Sequence, residues 1–214
     1  MDVIDFGFPK FQRLLCLGAH SDDIEIGCSG VIRQLLASEH PPQVHWHVLS
    51  SVSERKAEAL QSAATWSGGK ARVTAHAYRD GFFPAEFDQI KQCFRSLREE
   101  IQPDLVLTHH GRDAHQDHRI VSELCWQEFR ESTILEYEIP KFDGDLGQPN
   151  FFVPLSVEIA EAKISHLLSH FPSQRDRAWY REDVFRGVLA LRGVEAASPS
   201  GFAEAFYARK LRCV

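Results

Sequence analysis

A dense group of ionisable side chains lies at residues 20–25, where the sequence reads HSDDIE. This stretch holds one imidazole and three carboxylates within six residues. Carboxylates at such close range raise one another's pKa, whereas a bound cation stabilises all of them as anions. A histidine with carboxylates and no thiolate is typical of a catalytic Zn²⁺ site, or of a site for another first-row divalent ion. The segment therefore indicates a divalent-metal hydrolase site.

A second cluster follows at residues 109–118, which read HHGRDAHQDH and hold four histidines and two aspartates. If a helix begins near His115, then His115 and His118 project from the same side of it and can address one site. Asp117 lies between them and can orient an imidazole through the free nitrogen of the ring. Two such clusters together predict one metal site more strongly than either cluster alone.

Each cluster also has a simpler interpretation. Residues 20–25 can be a solvated acidic loop in which Asp22 or Asp23 caps the next helix, and residues 109–118 can be a histidine-rich surface loop. A nucleotide-binding turn at Gly18, Gly27 and Gly30 is disfavoured, because the spacing is not GxGxxG and carboxylates would occupy the pyrophosphate position. The histidines outside the clusters are interpreted as packing residues: His45, His47, His76, His166 and His170.

Alternating strands and helices predict an α/β fold with a mainly parallel, Rossmann-like sheet flanked by helices. Predicted strands cover residues 14–18, 44–49, 72–77, 104–108 and 133–137, and predicted helices cover 29–37, 53–65, 86–100, 118–129, 156–169 and 183–196. Ser53 can cap its helix, Gly68 and Gly69 end it, residues 138–154 form a loop, and 206–212 form a last short element. Parallel strands present functional loops at their carboxyl ends. Because both clusters directly follow strands, they should meet at one edge of the sheet.

The composition limits the possible number of domains, the binding partners and the location of the protein. The 214 residues are 43% hydrophobic and 25% charged, which favours one domain over residues 1–214. A net charge of −6 gives no general attraction to nucleic acid or anionic lipid. There is no basic, apolar leader and no apolar run near the roughly 18 residues of a membrane span, so we expect a cytoplasmic protein. The five cysteines contain no CxxC pair, which argues against disulfides and a thiolate zinc site.

The two clusters resemble the motifs of PIG-L/LmbE-type metal-dependent deacetylases. Residues 19–30 read AHSDDIEIGCSG and match the family motif AHPDDxExGxGG, with Ser21 and Ser29 in place of proline and glycine. Residues 108–118 match the second motif, TxxxxDxHPDH, with Gln116 in the proline position. The resemblance extends to residues 55–59 and 192–206, so it covers nearly the whole chain.

The resemblance implies a role for each motif residue. By this similarity, His20, Asp23 and His118 bind Zn²⁺ and Asp22 is the general base that takes a proton from the metal-activated water. His115 would stabilise the oxyanion and help to protonate the leaving amine, with Asp117 orienting His115. The implied reaction removes an N-acetyl group from an amino sugar or a sugar conjugate.

The substrate contacts are less closely defined by the motifs. Arg55, Asp80 and Arg192 are candidate substrate-binding residues, since they offer donors and acceptors for sugar hydroxyls. The expected partner is a small N-acetylated sugar, with no nucleic acid and no stable membrane insertion, and a homo-oligomer is possible.

Two other classes of function remain open at this point. A metal-dependent phosphoesterase would prefer paired metals with bridging carboxylates. A non-catalytic sugar- or nucleotide-binding module would retain only a degenerate site. The presence of Asp22 and His115 beside the ligands argues against such a module, because neither residue is needed merely to hold a metal.

Overall fold

Residues 11–211, the part of the chain described by this computed structural model, form seven strands and six α-helices, which alternate as far as β5. The strands are β1 (Arg13–Gly18), β2 (Gln43–Val48), β3 (Ala71–Ala75), β4 (Leu105–His109), β5 (Thr133–Tyr137), β6 (Phe151–Leu155) and β7 (Phe202–Tyr207). The helices are α1 (Asp23–Leu36), α2 (Ser53–Ser67), α3 (Phe87–Ile101), α4 (Gln116–Glu128), α5 (Val157–His170) and α6 (Glu182–Glu195).

All seven strands form one sheet in the order β3-β2-β1-β4-β5-β7-β6. Strands β1 to β5 are parallel to one another, and β7 is antiparallel to both β5 and β6. The chain proceeds from β1 outwards to β3 and then returns to the other side of β1, so the order reverses between β1 and β4. Ligands bind at this kind of switch point in open α/β sheets. The predicted α/β class with a mainly parallel sheet is confirmed.

Hydrophobic cores lie on both faces of the sheet. Leu14 and Cys16 of β1 pack in one core, while Leu15 and Leu17 pack in the other, under α3 and α4. Burial of alternate side chains on opposite faces explains why the strands read as continuous apolar runs. Of the cysteines, Cys16, Cys28 and Cys125 are buried and Cys93 is half-buried, all with free thiols; Cys213 lies outside the described residues.

The structure differs from the predicted elements in four places. Helix α1 begins at Asp23, six residues before the predicted start, so Asp23 and Glu25 lie in its first turn, where the helix dipole favours anions. Ser53 makes no capping hydrogen bond, and the cap position is Val52. The predicted loop 138–154 contains the start of β6, which pairs with β7. The predicted last element 206–212 is instead β7, which ends at Tyr207, and residue 212 lies outside the described part.

Helix α1 lies directly on the sheet because two glycines leave room for it. A Cβ atom at Gly27 would lie 2.2 Å from the Tyr137 ring, and one at Gly30 would lie 2.7 Å from Leu155. Both glycines are inside the helix, which rules out a nucleotide-binding turn there. Behind them, the Glu204 carboxylate accepts hydrogen bonds from the backbone of Gly30 and Val31 and pairs with buried Lys163.

None of the helices within residues 11–211 combines the length and apolar character that crossing a bilayer requires.

Candidate metal centre

Both clusters lie at the point where the strand order reverses. The first cluster follows β1 and continues into the first turn of α1, and the second follows β4 and leads into α4. His115 is the N-cap residue of α4, so His118 lies in its first turn. Because β1 and β4 are paired neighbours, their carboxyl ends bring the two clusters together. The expectation that the clusters meet at one edge of the sheet is confirmed.

Three potential ligand atoms converge between the clusters. His20 Nδ1 lies 3.1 Å from His118 Nε2. Asp23 Oδ2 lies 3.4 Å from His20 Nδ1 and 3.6 Å from His118 Nε2. An ion held tetrahedrally at about 2.0–2.1 Å separates its ligand atoms by about 3.3–3.4 Å. The spacing of these atoms therefore matches one face of a tetrahedral site.

The outer ring nitrogens determine which tautomers the histidines adopt. His118 Nδ1 lies 2.9 Å from the Asp113 carboxylate, and His20 Nε2 lies 3.1 Å from Asp80 and 3.4 Å from Asp117. An ionised carboxylate only accepts, so these outer nitrogens donate and the inner nitrogens keep their lone pairs. Two imidazole lone pairs and a carboxylate then face one another and require a cation. The donor set fits Zn²⁺ or another first-row divalent ion.

The titration behaviour of these groups agrees with that requirement. Although burial alone would lower the pKa of His20, the carboxylates of Asp23, Asp117 and Asp80 raise it, so this position favours positive charge. Burial and the neighbouring His109 lower the pKa of His118 to about 4, which leaves a neutral imidazole. Burial would raise the pKa of Asp23, but His118, His109 and His20 hold it well below its usual range.

Asp22 lies beside the convergent atoms without being one of them. Burial and the adjacent Asp23 raise the pKa of Asp22 to about 6, and Arg55, 3.3 Å away, opposes that rise. A carboxylate with a pKa close to neutral can accept a proton at physiological pH and release it again. Asp22 can therefore exchange a proton near neutral pH.

His115 and Asp117 lie at the same site but contact each other in an unexpected way. The backbone N–H of Asp117 donates to His115 Nδ1 at 3.2 Å. The Asp117 carboxylate instead accepts from the backbone of Gly81 and Phe83 and faces His20. Burial and the neighbouring His20 lower the pKa of His115. Orientation of His115 by Asp117 thus runs through the backbone of Asp117, whereas its carboxylate supports His20.

Two residues of the second cluster were not assigned from the sequence. Asp113 orients His118, as described, and its pKa is lowered despite burial because it accepts this hydrogen bond. His109 is fully buried, stacks on the His118 ring with centroids 3.9 Å apart, and has its Nε2 3.1 Å from Asp23 Oδ2. The signal for Asp113 was present, since it is the other aspartate of the cluster, but the sequence does not say which carboxylate serves which imidazole.

These residues form one side of a cavity of about 270 Å³. We call this side the inner wall: His20, Asp22, Asp23, His115 and His118. The opposite side, the outer wall, comes from the loop after β5 and from the segment after α5: Ile139, Lys141, Phe142, Asp143, Gln174, Arg177 and Trp179. Arg55 and Asp80 also line the cavity, and they pair with each other at 3.4 Å.

Arg192, the third predicted substrate-binding residue, lies elsewhere. Its guanidinium is buried, pairs with Glu138 at 2.8 Å and Glu195 at 2.7 Å, and donates to the Gly147 carbonyl. The N–H donors of the guanidinium are therefore used to fix the base of the loop after β5. Arg192 does not line the cavity. The structure thus does not bring Arg192 together with Arg55 and Asp80, and a donor-rich residue type does not reveal whether its partners are internal.

Solved structures with this fold include enzymes of different chemistry. N,N'-diacetylchitobiose deacetylase from Pyrococcus horikoshii has a TM-score of 0.73 and 22% identity, covering 95% of this chain and 86% of that chain. The A40926 pseudoaglycone deacetylase Dbv21 has a TM-score of 0.70 and 18% identity, covering 92% and 96%. GalB, the 4-carboxy-2-hydroxymuconate hydratase from Pseudomonas putida KT2440, has a TM-score of 0.71 and 17% identity, covering 95% and 98%. At these identities the likeness establishes the fold alone.

The sequence itself matches a family. No curated protein sequence matches the chain. The family model described as "PIG-L: GlcNAc-PI de-N-acetylase" matches residues 15–129, a range that contains both clusters and more than half of the chain. This protein therefore belongs to the PIG-L family, as its two motifs predicted.

Proposed function

We propose that this protein is a metal-dependent deacetylase that removes the N-acetyl group from an amino sugar or sugar conjugate. The observation that carries the proposal is the convergence of two imidazole lone pairs and the Asp23 carboxylate beside Asp22, at the inner end of a cavity. His20, Asp23 and His118 are the proposed ligands. Zn²⁺ is the proposed ion, with other first-row divalent ions as alternatives.

The reaction assigns a separate task to each neighbouring group. When bound, a divalent ion polarises an amide carbonyl and lowers the pKa of a water molecule. Asp22 takes the water proton, and the leaving amine requires one proton in return. His115 donates a hydrogen bond to the oxyanion from Nε2, which carries the ring proton because Nδ1 accepts from Asp117.

The proton for the leaving amine is better assigned to Asp22 than to His115. A doubly protonated His115 ring would be needed to supply it, and burial with the neighbouring His20 favours the neutral ring. The pKa of about 6 for Asp22 suits a group that gains and then releases a proton. Asp117 supports these steps through its contacts with His20 and His115.

The family and the cavity support an acetylated sugar as substrate. The family description names a GlcNAc-PI de-N-acetylase, and two proteins of the same fold are deacetylases by name. The hydratase among the similar structures shows that the fold alone does not decide the reaction. Arg55 and Asp80, at the cavity between the two walls, are the proposed contacts for sugar hydroxyls. Cytoplasmic location and assembly into homo-oligomers stay predictions.

The direct test combines metal analysis with product analysis. The purified protein should contain about one equivalent of a divalent metal and should release acetate from N-acetylglucosamine or its glycosides. Chelation should abolish acetate release, and Zn²⁺ should restore it. A His20→Ala/His118→Ala double variant should lose both the metal and the activity, because two of three ligand atoms are gone.

The matched control also replaces two histidines, but at positions where they are predicted to be packing residues. A His45→Ala/His170→Ala double variant should retain the metal and the acetate release, since neither residue lines the cavity. Release of phosphate from phosphate esters without acetate release would contradict the proposal, and so would full metal content in the His20→Ala/His118→Ala protein.

A further inference from the structure

Lys141 connects the inner wall to the loop that forms part of the outer wall. Its Nζ lies 3.0 Å from Asp113 Oδ1 and 2.6 Å from Asp145 Oδ2, and only 9% of its side chain is exposed. The other oxygen of Asp113 accepts from His118 Nδ1 at 2.9 Å. One lysine thus joins a proposed metal ligand, through a single carboxylate, to a loop that lies outside the residues matched by the family model.

Burial makes this lysine dependent on both of its partners. Taking an ammonium group out of water costs several kcal/mol unless carboxylates compensate for it, as Asp113 and Asp145 do here. The buried Asp113 carboxylate depends on Lys141 in turn, since it contacts Lys141 and His118 at the same time. Asp113 is also fixed by the backbone N–H of His115, which donates to Oδ1 at 2.8 Å. Asp113 therefore connects the position of the His118 ring to the position of Lys141.

These contacts hold the part of the loop that faces the cavity. Residues 138–150 separate β5 from β6 and contain no helix or strand. Arg192 fixes the start of the loop through Glu138. Its middle is held on the second cluster by Lys141 and by Asp145, which accepts from the backbone of Ala114 at 2.7 Å. The side chains that line the cavity, including Phe142, lie between these two attachments.

We propose that Lys141 is a positioning residue that couples metal binding at His118 to the order of the loop at residues 139–145. A metal ion fixes the His118 ring, the ring fixes Asp113, and Asp113 fixes Lys141 and the loop. Coupling of this kind is reciprocal, so the attached loop also strengthens metal binding. The outer wall is then held more firmly in the metal-loaded protein than in the metal-free protein.

The inference rests on the proposed metal site, but different results would contradict the proposed function and the role of Lys141. If the unaltered protein binds no Zn²⁺, the proposed function fails. If it binds Zn²⁺ and a Lys141→Met variant binds it equally well, only the role of Lys141 fails.

The first measurement is Zn²⁺ affinity, by competition with a chromophoric chelator at fixed pH. Lys141→Met keeps the length of the side chain but removes the charge, and we expect affinity to fall about ten-fold, as for other groups that support a metal ligand. Lys141→Arg restores a cation and should recover most of the affinity. The matched control is Lys91→Met, which removes a lysine that contacts Gln127 away from the cavity and should leave affinity unchanged.

The second measurement is amide hydrogen exchange in peptides covering residues 138–148, with and without Zn²⁺. Zn²⁺ should slow exchange of the loop in the unaltered protein and in Lys91→Met, but not in Lys141→Met. Asp113→Asn, a change outside the loop, should also abolish the protection and serves if Lys141→Met does not fold. A lysine that only stabilised the fold would leave the Zn²⁺ affinity of the folded variant unchanged. Unchanged affinity, or Zn²⁺ protection of the loop in either variant, would overturn the proposal.

Discussion

The inner and outer walls of the cavity are built in opposite ways. Inner-wall residues come from two short segments at the ends of neighbouring strands, and His20, Asp22, Asp23 and His118 are all less than 10% exposed. Outer-wall residues come from a loop and a short 3-10 segment beyond residue 137, and they range from buried Ile139 and Gln174 to Phe142, which is 69% exposed. The family model covers the whole inner wall and none of the outer wall.

The difference indicates that the two walls have separate functions. Buried groups on strand ends and first helical turns hold fixed geometry, which bond-breaking chemistry requires. Exposed groups on loops tolerate replacement and suit recognition of the part of the substrate that does not react. We therefore expect inner-wall changes to act on turnover and changes of the exposed outer-wall residues to act on substrate binding.

The largest effect is expected at the general base. Asp22→Asn removes proton acceptance but leaves all three proposed ligands, so kcat should fall by about 10²–10⁴ while the metal remains bound. Steady-state acetate release and metal analysis by mass spectrometry measure the two quantities. Asp143→Asn is the matched control, because it makes the same change in charge on the outer wall and should act mainly on KM. Equal losses of kcat in the two variants would show that the two walls do not differ in their effect on turnover.

The inner wall should also depend on the ion pair behind it. Glu204→Gln leaves the Lys163 ammonium buried with 3% of its side chain exposed, and removing one partner of a buried pair costs about 3–5 kcal/mol. Urea unfolding measures this cost. Glu161→Gln breaks the exposed pair with Arg186 and should cost no more than about 1 kcal/mol. If both variants lose equally little stability, the support of α1 by Glu204 is not energetically important.

A smaller effect is expected from Arg177 on the outer wall. Its side chain is exposed and makes no ion pair among residues 11–211, so it is available to a substrate. Arg177→Gln should raise KM by about ten-fold and leave kcat nearly unchanged, because it removes binding that is equal in the ground and transition states. Arg175→Gln, nearby but outside the cavity lining, is the control. A fall in kcat at unchanged KM would place Arg177 in the chemical step instead.

The smallest effect tests whether histidines outside both walls matter only for stability. Burial, with His170 and Arg33 nearby, lowers the pKa of His166 from 6.5 to about 4. The unfolded chain therefore binds a proton that the folded chain does not, and the contribution of His166 is complete above pH 6.5 and lost as pH falls towards 4. His166→Gln should reduce the shift in urea midpoint between pH 7 and pH 5.5. Acetate release at pH 7 should not change, and an unaltered midpoint shift would contradict the burial argument.

The inner wall was largely predictable from sequence because its residues fall in two compact clusters, each directly after a strand of the parallel sheet. Strand periodicity located β1 and β4, and the rule that functional loops follow parallel strands brought the clusters together. The helical start of α1 was missed because Asp23 and Glu25 look like loop residues, although the helix dipole stabilises them there. The pairing of Asp113 with His118 and of Asp117 with His20 depends on side-chain direction, which spacing does not determine.

The outer wall was not predictable for a related reason. Its contributors lie after β5 and after α5, so they do not both follow parallel strands, and neither segment carries a dense cluster of ionisable residues. Arg192 was grouped with the substrate contacts because the sequence does not reveal its internal partners Glu138 and Glu195. Long-range pairing of charged residues thus limits how far residue type alone can identify a substrate contact.

The close contact between Gly27 and Tyr137 has a consequence for natural variation. A single added methyl group at Gly27 would collide with the Tyr137 ring and push α1 away from the sheet. Asp23 lies one turn earlier on the same helix, so the proposed ligand would move with it. A genetic screen for inactive alleles should therefore recover small substitutions at residue 27, which touch no reacting group and would look harmless by chemical similarity.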